Sequence, residues 1–181
     1  MLYPAKTISL KNGKEAVFRG PCKEDAACLL EYLRQTAEET DFVLRYPEEI
    51  TITLEQEERF IQSINQSEGN VMILCEVDGR HAGNCTLQLH DKLKVRHRGD
   101  VGIALRKDFW GMGIGTAMFE EMFRIAREHG IRQLELEVIE GNERGLALYR
   151  KMGFRVYGER PNAIRLKDGT LLSEYLMVRE L

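Results

Sequence analysis

The sequence predicts an α+β protein organised on one mixed sheet, and three observations predict it. Strand-length apolar runs recur along most of the chain. Two helical patterns come early, between the first strand pair and the next. From residue 71 onward the order is mostly strand, with two late helices, the first entered through a glycine-rich turn.

Residues 7–19 read as a hairpin around Asn12-Gly13, with Ile8 and Leu10 before the turn and Ala16 and Phe18 after it. Residues 23–38 follow as a helix with Ala26, Ala27, Leu29, Leu30 and Leu33 inward. Residues 39–53 lack a period and contain Pro47, so they read as loop. A second helix runs from about Leu54 to Asn65, with Thr53 as N-cap and Gln56 placed to complete a capping box. Val71 to Val77 is an apolar, β-branched run that Asp78-Gly79 turns back into a strand from Arg80 to about His90. A two-residue turn there sets Val77 opposite Arg80 and Met72 opposite Cys85. Cys75 and Cys85 then point to opposite faces and form no disulfide. Residues 91–99 are a basic turn.

Val101 to Leu105 reads as a buried strand. After it come a charged corner, the alternating glycines Gly111, Gly113 and Gly115, and a helix with Ile114, Met118, Met122 and Ile125 on its apolar face. Gly130 is its stop signal. Leu134, Leu136 and Val138 alternate with Glu135 and Glu137 in the next strand, and residues 142–152 form a short helix with Leu146, Leu148, Tyr149 and Met152 on one side. Phe154 to Tyr157 and Leu171 to Val178 are the closing strands, joined by a polar connection.

Composition bounds the function. At 181 residues the chain has the length of one domain, 1–181, and 43% hydrophobic with 30% charged residues is ordinary for a folded globular protein. Twenty-six Lys and Arg against 29 Asp and Glu give a net charge of −3, which argues against a dedicated nucleic-acid binder. No apolar run approaches the ~18 residues that span a membrane, and MLYPAKTISL has no signal-peptide core. Four scattered cysteines without a C-x-x-C pair and four histidines without ligand spacing predict reduced thiols, no metal and a cytoplasmic setting.

The strand, glycine turn and helix around residues 101–130 carry the chemistry. The first N–H groups of a helix have no partner within it and form the positive end of its dipole. From Phe109 to Phe119 no carboxylate opposes an anion. The turn can therefore hold a phosphate or pyrophosphate, although the same glycines would also serve packing alone. Neither the dinucleotide fingerprint, which needs glycine at Thr116, nor a phosphate loop with Gly-Lys-Ser/Thr is present.

The stretch GIALRKDFWGMGIGTAM resembles the coenzyme A-binding signature of the GNAT superfamily of acyl-CoA-dependent N-acyltransferases. That signature runs Gln/Arg-x-x-Gly-x-Gly/Ala after a bulged strand and falls here on Trp110, Gly111, Met112, Gly113, Ile114 and Gly115. A second block, from Asn142 through Tyr149 to Gly153-Phe154, is similar to the family's Asn-x-x-Ala-x-x-x-Tyr-x-x-x-Gly-Phe. The resemblance covers roughly residues 70–180. It implies a GNAT-like α+β fold: a mostly antiparallel sheet of about seven strands with four helices, splayed at the fourth and fifth core strands.

The resemblance also implies acetyl transfer from acetyl-CoA to the primary amine of a small molecule, amino acid or peptide N-terminus, by direct attack in a ternary complex. The backbone from Gly111 to Thr116 would hold the pyrophosphate. The backbone of Ile103, Ala104 and Leu105 would pair with the pantetheine amides like an added strand. Asn142 would meet the carrier arm, with capping of its own helix as its structural alternative. Tyr149 would protonate the leaving thiolate, since a phenol near pKa 10 stays protonated at neutral pH; packing is its alternative role. Asp100, where relatives often carry glutamate, would accept the amine proton, with Glu137 and Glu76 as the other candidates.

Two positions depart from the pattern. Trp110 replaces Gln or Arg, removing any side-chain contribution to the pyrophosphate. Gly145 replaces a small Ala at a helix-propensity cost of about 1 kcal/mol. The acceptor would be chosen by the early helices, their loop and the late hairpin, where Arg45 and Tyr46 suit a carboxylate and Glu48 or Glu49 an ammonium. The alternative from another class is a non-catalytic acyl-CoA-binding module. Homodimers are frequent among such proteins, and no apolar stripe in this sequence demands one.

Overall fold

The computed structural model describes residues 1–181. Eight strands and four α-helices alternate along the chain: β1 (Lys6–Ser9), β2 (Glu15–Arg19), α1 (Ala26–Glu39), α2 (Leu54–Gln66), β3 (Asn70–Val77), β4 (Arg80–Leu89), β5 (Arg98–Leu105), α3 (Ile114–Glu128), β6 (Gln133–Ile139), α4 (Glu143–Lys151), β7 (Arg155–Arg165) and β8 (Leu171–Glu180). The hydrogen-bonded strand order is β1-β2-β3-β4-β5-β6-β8-β7. Pairing is antiparallel except between β5 and β6. The parallel register covers only Arg98↔Gln133, Gly99↔Leu134 and Asp100↔Glu135, although β5 runs on to Leu105 and β6 to Ile139. These are the fourth and fifth core strands once the short edge strand β1 is set aside, so the expected splay is present. No helix is long and apolar enough to cross a membrane.

The chain forms two compact units, Met1–Gln88 with Gly102–Met118, and Leu89–Val101 with Phe119–Leu181. In the first, α1 and α2 pack Ala26, Leu29, Tyr32 and Ile61 against Met72 and Leu74 of β3. Fully burying an apolar side chain of this size stabilises by about 1.5–3 kcal/mol. The capping box at α2 is formed: Thr53 Oγ accepts from Gln56 N at 3.2 Å, and Gln56 Oε1 accepts from Thr53 N at 2.8 Å. In the second unit, an aromatic cluster of Phe119, Phe123, Tyr149 and Phe154 forms the centre.

Three readings of the sequence need correction. The inward face of α1 carries Tyr32 and Thr36, whereas Ala27 is exposed, because the buried stripe runs through Ala26, Leu29, Tyr32 and Thr36 at spacings of three and four. The closing hairpin is longer than expected: β7 extends to Arg165, with bulges between Val156 and Gly158 and between Arg160 and Ile164 that hide its period.

The third concerns the β3–β4 register. Val77 does face Arg80, but Met72 faces Thr86 rather than Cys85. A bulge lets Glu76 pair with His81 and Cys75 with Gly83, skipping Ala82. Cys75 and Cys85 consequently lie on the same face at diagonal positions, and both thiols are free. The bulge has a tertiary cause. A Cβ at Gly83 would meet Ala104 O at 2.3 Å, so glycine lets β5 come close there, while the amide of Arg106 donates to the carbonyl of Ala82 at 2.9 Å.

Candidate active site

The glycine turn is built by backbone geometry. After β5 a 3-10 turn spans Lys107–Phe109, and the Trp110 amide donates back to Lys107 O at 3.0 Å. Gly111 and Gly113 have φ of +81° and +90°, a region that side chains with a Cβ seldom enter. The first bond of α3 runs from Ala117 N to Gly113 O, which leaves the amides of Ile114 and Gly115 at the helix mouth without a partner in the helix. No acidic residue stands in its first turn. Nothing occupies the space where a Cβ of Gly111 would lie, whereas one on Gly113 would touch Lys11 at 3.1 Å, and the Lys11 amide donates to Met112 O.

Ile103, Ala104 and Leu105 are half-buried in the second half of β5. The hydroxyl of Tyr32 donates to Ala104 O at 2.9 Å, and the indole Nε1 of Trp110 donates to Leu105 O at 2.8 Å. Sequence reasoning gave Trp110 no role; its indole in fact ties the glycine turn to the strand end. Tyr32 was missed because it lies on a helix distant in sequence.

Asn142 caps α4, its Oδ1 accepting from Gly145 N at 2.9 Å. Gly145 is explained by this contact: a Cβ there would lie 2.7–2.9 Å from the Asn142 amide group. Tyr149 is buried on α4, edge-on to Phe119 with ring centroids 5.7 Å apart and to Phe154 at 6.4 Å. Burial alone pushes its phenol up to about 12, so the hydroxyl keeps its proton across the neutral range.

The three carboxylates considered as bases stand in different surroundings. Glu76 accepts from the Arg19 guanidinium, which also grips Asp25 with two contacts of 2.7 Å. Glu137 accepts from Arg160 at 2.9 Å. Asp100 has the His90 imidazole beside it, Nε2 to Oδ2 at 3.3 Å. Burial raises the Asp100 pKa, the neighbouring Glu135 and Glu137 charges add to this, and His90 and Arg98 offset only part of it.

Residues 30–154 match the family model described as the acetyltransferase (GNAT) family. The chain belongs to the acetyltransferase (GNAT) family. Among curated relatives it is similar to the L-amino acid N-acetyltransferase AaaT of Escherichia coli (strain K12), 26% identical over 60% of this chain and 66% of that protein. The chain thus spans just under two thirds of that relative's length. An acetyltransferase of the GNAT family from Streptococcus pneumoniae superposes with a TM-score of 0.85 at 29% identity, covering 92% of this chain and 99% of the other. RimL, the ribosomal L7/L12 alpha-N-protein acetyltransferase solved in complex with coenzyme A, shares the fold at a TM-score of 0.78 and 18% identity, covering 100% of this chain and 98% of that one.

Proposed function

We propose that this member of the GNAT family transfers an acetyl group from acetyl-CoA to the primary amine of a small molecule, an amino acid or a peptide N-terminus. The amine attacks directly in a ternary complex, within one acetyltransferase domain over residues 1–181. The observation that carries this reading is coincidence: the family match over residues 30–154 contains every residue nominated for the chemistry from the sequence, from Asp100 to Tyr149. The acceptor class draws support from the named relatives, one acting on L-amino acids and one on a protein N-terminus.

Each step has an assigned group. The amides at the mouth of α3, in the turn from Gly111 through Met112, Gly113, Ile114 and Gly115 to Thr116, hold the pyrophosphate of the carrier. The backbone of Ile103, Ala104 and Leu105 aligns the pantetheine arm, which is compatible with the two carbonyl contacts above because each oxygen keeps a second lone pair. Asn142 uses Oδ1 for its cap and offers its amide nitrogen to the arm. Asp100 takes the proton of the attacking amine, favoured over Glu137 and Glu76 because its direct partner is an imidazole whereas theirs are guanidinium groups. Tyr149, a phenol that burial keeps neutral, protonates the leaving thiolate.

The test is incubation with acetyl-CoA and a panel of amines while free thiol is followed. Thiol release that depends on one amine class supports the reading. Tight acetyl-CoA binding with no turnover on any amine overturns it in favour of a binding module.

A further inference from the structure

Resting on the acetyltransferase reading, we propose that His90 is a positioning residue for Asp100. Its imidazole, with Nε2 3.3 Å from one carboxylate oxygen, sets that side chain so that the other oxygen is left for the acceptor amine.

The geometry of one sheet face carries this. Asp100 on β5 and Glu135 on β6 are register partners, so their side chains share a face, and Glu137 follows two residues along β6. Three carboxylates thus stand in a row, and two of them have a fixed cation. Arg98, two residues before Asp100, grips Glu135 with both nitrogens at 2.6 Å. Arg160 of β7 reaches Glu137 at 2.9 Å and also pairs with the buried Glu174 of β8. Asp100 alone has an imidazole as its direct partner, supplied by the residue that follows β4. The His90 amide donates to Arg98 O at 3.3 Å, which fixes the ring's backbone beside the strand. The other charged or ionisable groups on this face are Arg155 and Tyr157 of β7 and Glu180 of β8; Arg155 reaches Glu180 at 3.7 Å, and Arg155 and Tyr157 with Arg98, Gln133, Glu135 and Val178 line a cleft of about 320 Å³.

The chemistry follows from the choice of partner. A guanidinium is always charged and would hold a carboxylate permanently acidic, as Arg98 does for Glu135, whose pKa it lowers. An imidazole orients a carboxylate at a smaller cost in basicity than a paired guanidinium. During attack an amine N–H bond breaks and its proton passes to the free Asp100 oxygen. The nitrogen lone pair forms the bond to the acyl carbon as the thioester C–S bond breaks, the departing sulfur takes the Tyr149 proton, and the phenolate regains a proton from water. The side chain of Asp100 is 49% exposed and returns its proton to water.

The experiment compares wild type, H90Q and H90A in steady-state acetylation between pH 5 and 9, with acetyl-CoA binding measured in parallel. Imidazole NMR spectra of wild type and D100N at neutral pH accompany it. Glutamine keeps an N–H donor beside the carboxylate. H90A is expected to lose about tenfold in kcat across the range, on the scale of one acid–base contribution. H90Q is expected to recover most of that loss, and the change in both variants falls on kcat with KM for acetyl-CoA unmoved. All three bind acetyl-CoA equally. The His90 ring resonances move in D100N, because the imidazole loses its carboxylate neighbour. That readout needs no turnover, so it separates a failure of this inference from a failure of the acetyltransferase reading. A kcat unchanged in H90A, no recovery in H90Q, or His90 ring resonances unmoved in D100N overturns the proposal.

Discussion

Tyr149 keeps its phenol neutral through burial among Phe119 and Phe154, and that single condition makes it suitable as a proton donor at neutral pH. Replacement by Phe preserves the ring packing and removes only the hydroxyl. Y149F is therefore expected to lose about 10²–10⁴-fold in kcat while its acetyl-CoA affinity, followed by calorimetry, stays within error of wild type. An equal loss of affinity would reassign Tyr149 to cofactor packing. Gly145 supplies a second test at this scale. Alanine would gain about 1 kcal/mol of helix propensity, but its Cβ would drive the Asn142 amide out of its cap, which costs about 1 kcal/mol. G145A should thus melt within about 1 kcal/mol of wild type, while N142A, which loses the cap and gains nothing, should be clearly less stable in urea unfolding. The sequence pattern alone marked Gly145 as a departure; only the contact with Asn142 gives it a reason.

At the scale of elements, the entrance to α3 depends on two glycines for different reasons. Both need positive φ, at a cost of about 1–2 kcal/mol for any L side chain. Gly113 in addition lies against Lys11 at the tip of the β1–β2 hairpin, whereas Gly111 faces open space. G113A should accordingly destabilise more than G111A in urea melts. Shortening the neighbour with K11A should remove the difference and leave the φ penalty. The helix itself was legible from the sequence because Ile114, Met118, Met122 and Ile125 recur at helical spacing, and all four are buried. The β3–β4 register was not. Its bulge at Ala82 answers to the close approach of β5 at Gly83, and nothing local to that hairpin announces it.

For the molecule as a whole, one buried histidine that must stay neutral contributes to acid sensitivity. His81 of β4 is buried edge-on to Tyr32, and burial, then the nearby Arg106 charge, bring its pKa down to about 4. An unfolded histidine titrates near 6.5. Between these values the unfolded chain binds a proton that the folded chain refuses, so stability rises with pH across that window. It is fully present above about 6.5 and is lost as pH falls toward 4. The size of the effect is on the order of 3 kcal/mol. H81Q should flatten the stability–pH curve in this range in urea unfolding measured at successive pH values. A curve of unchanged slope would mean that other groups govern acid unfolding.

The sequence by itself determined the order of elements, the capping box at α2, the glycine entrance to α3 and the family, because each rests on spacing within a short stretch. Periodicity, caps and turn residues act over a few positions and need no distant partner. Tertiary structure alone decided which carboxylate lacks a fixed cation, since Arg19, Arg98 and Arg160 reach Glu76, Glu135 and Glu137 from other strands. It likewise brought His90 to Asp100. Charge pairing depends on distance in space, which the chain sets only when strands far apart in sequence come to lie side by side.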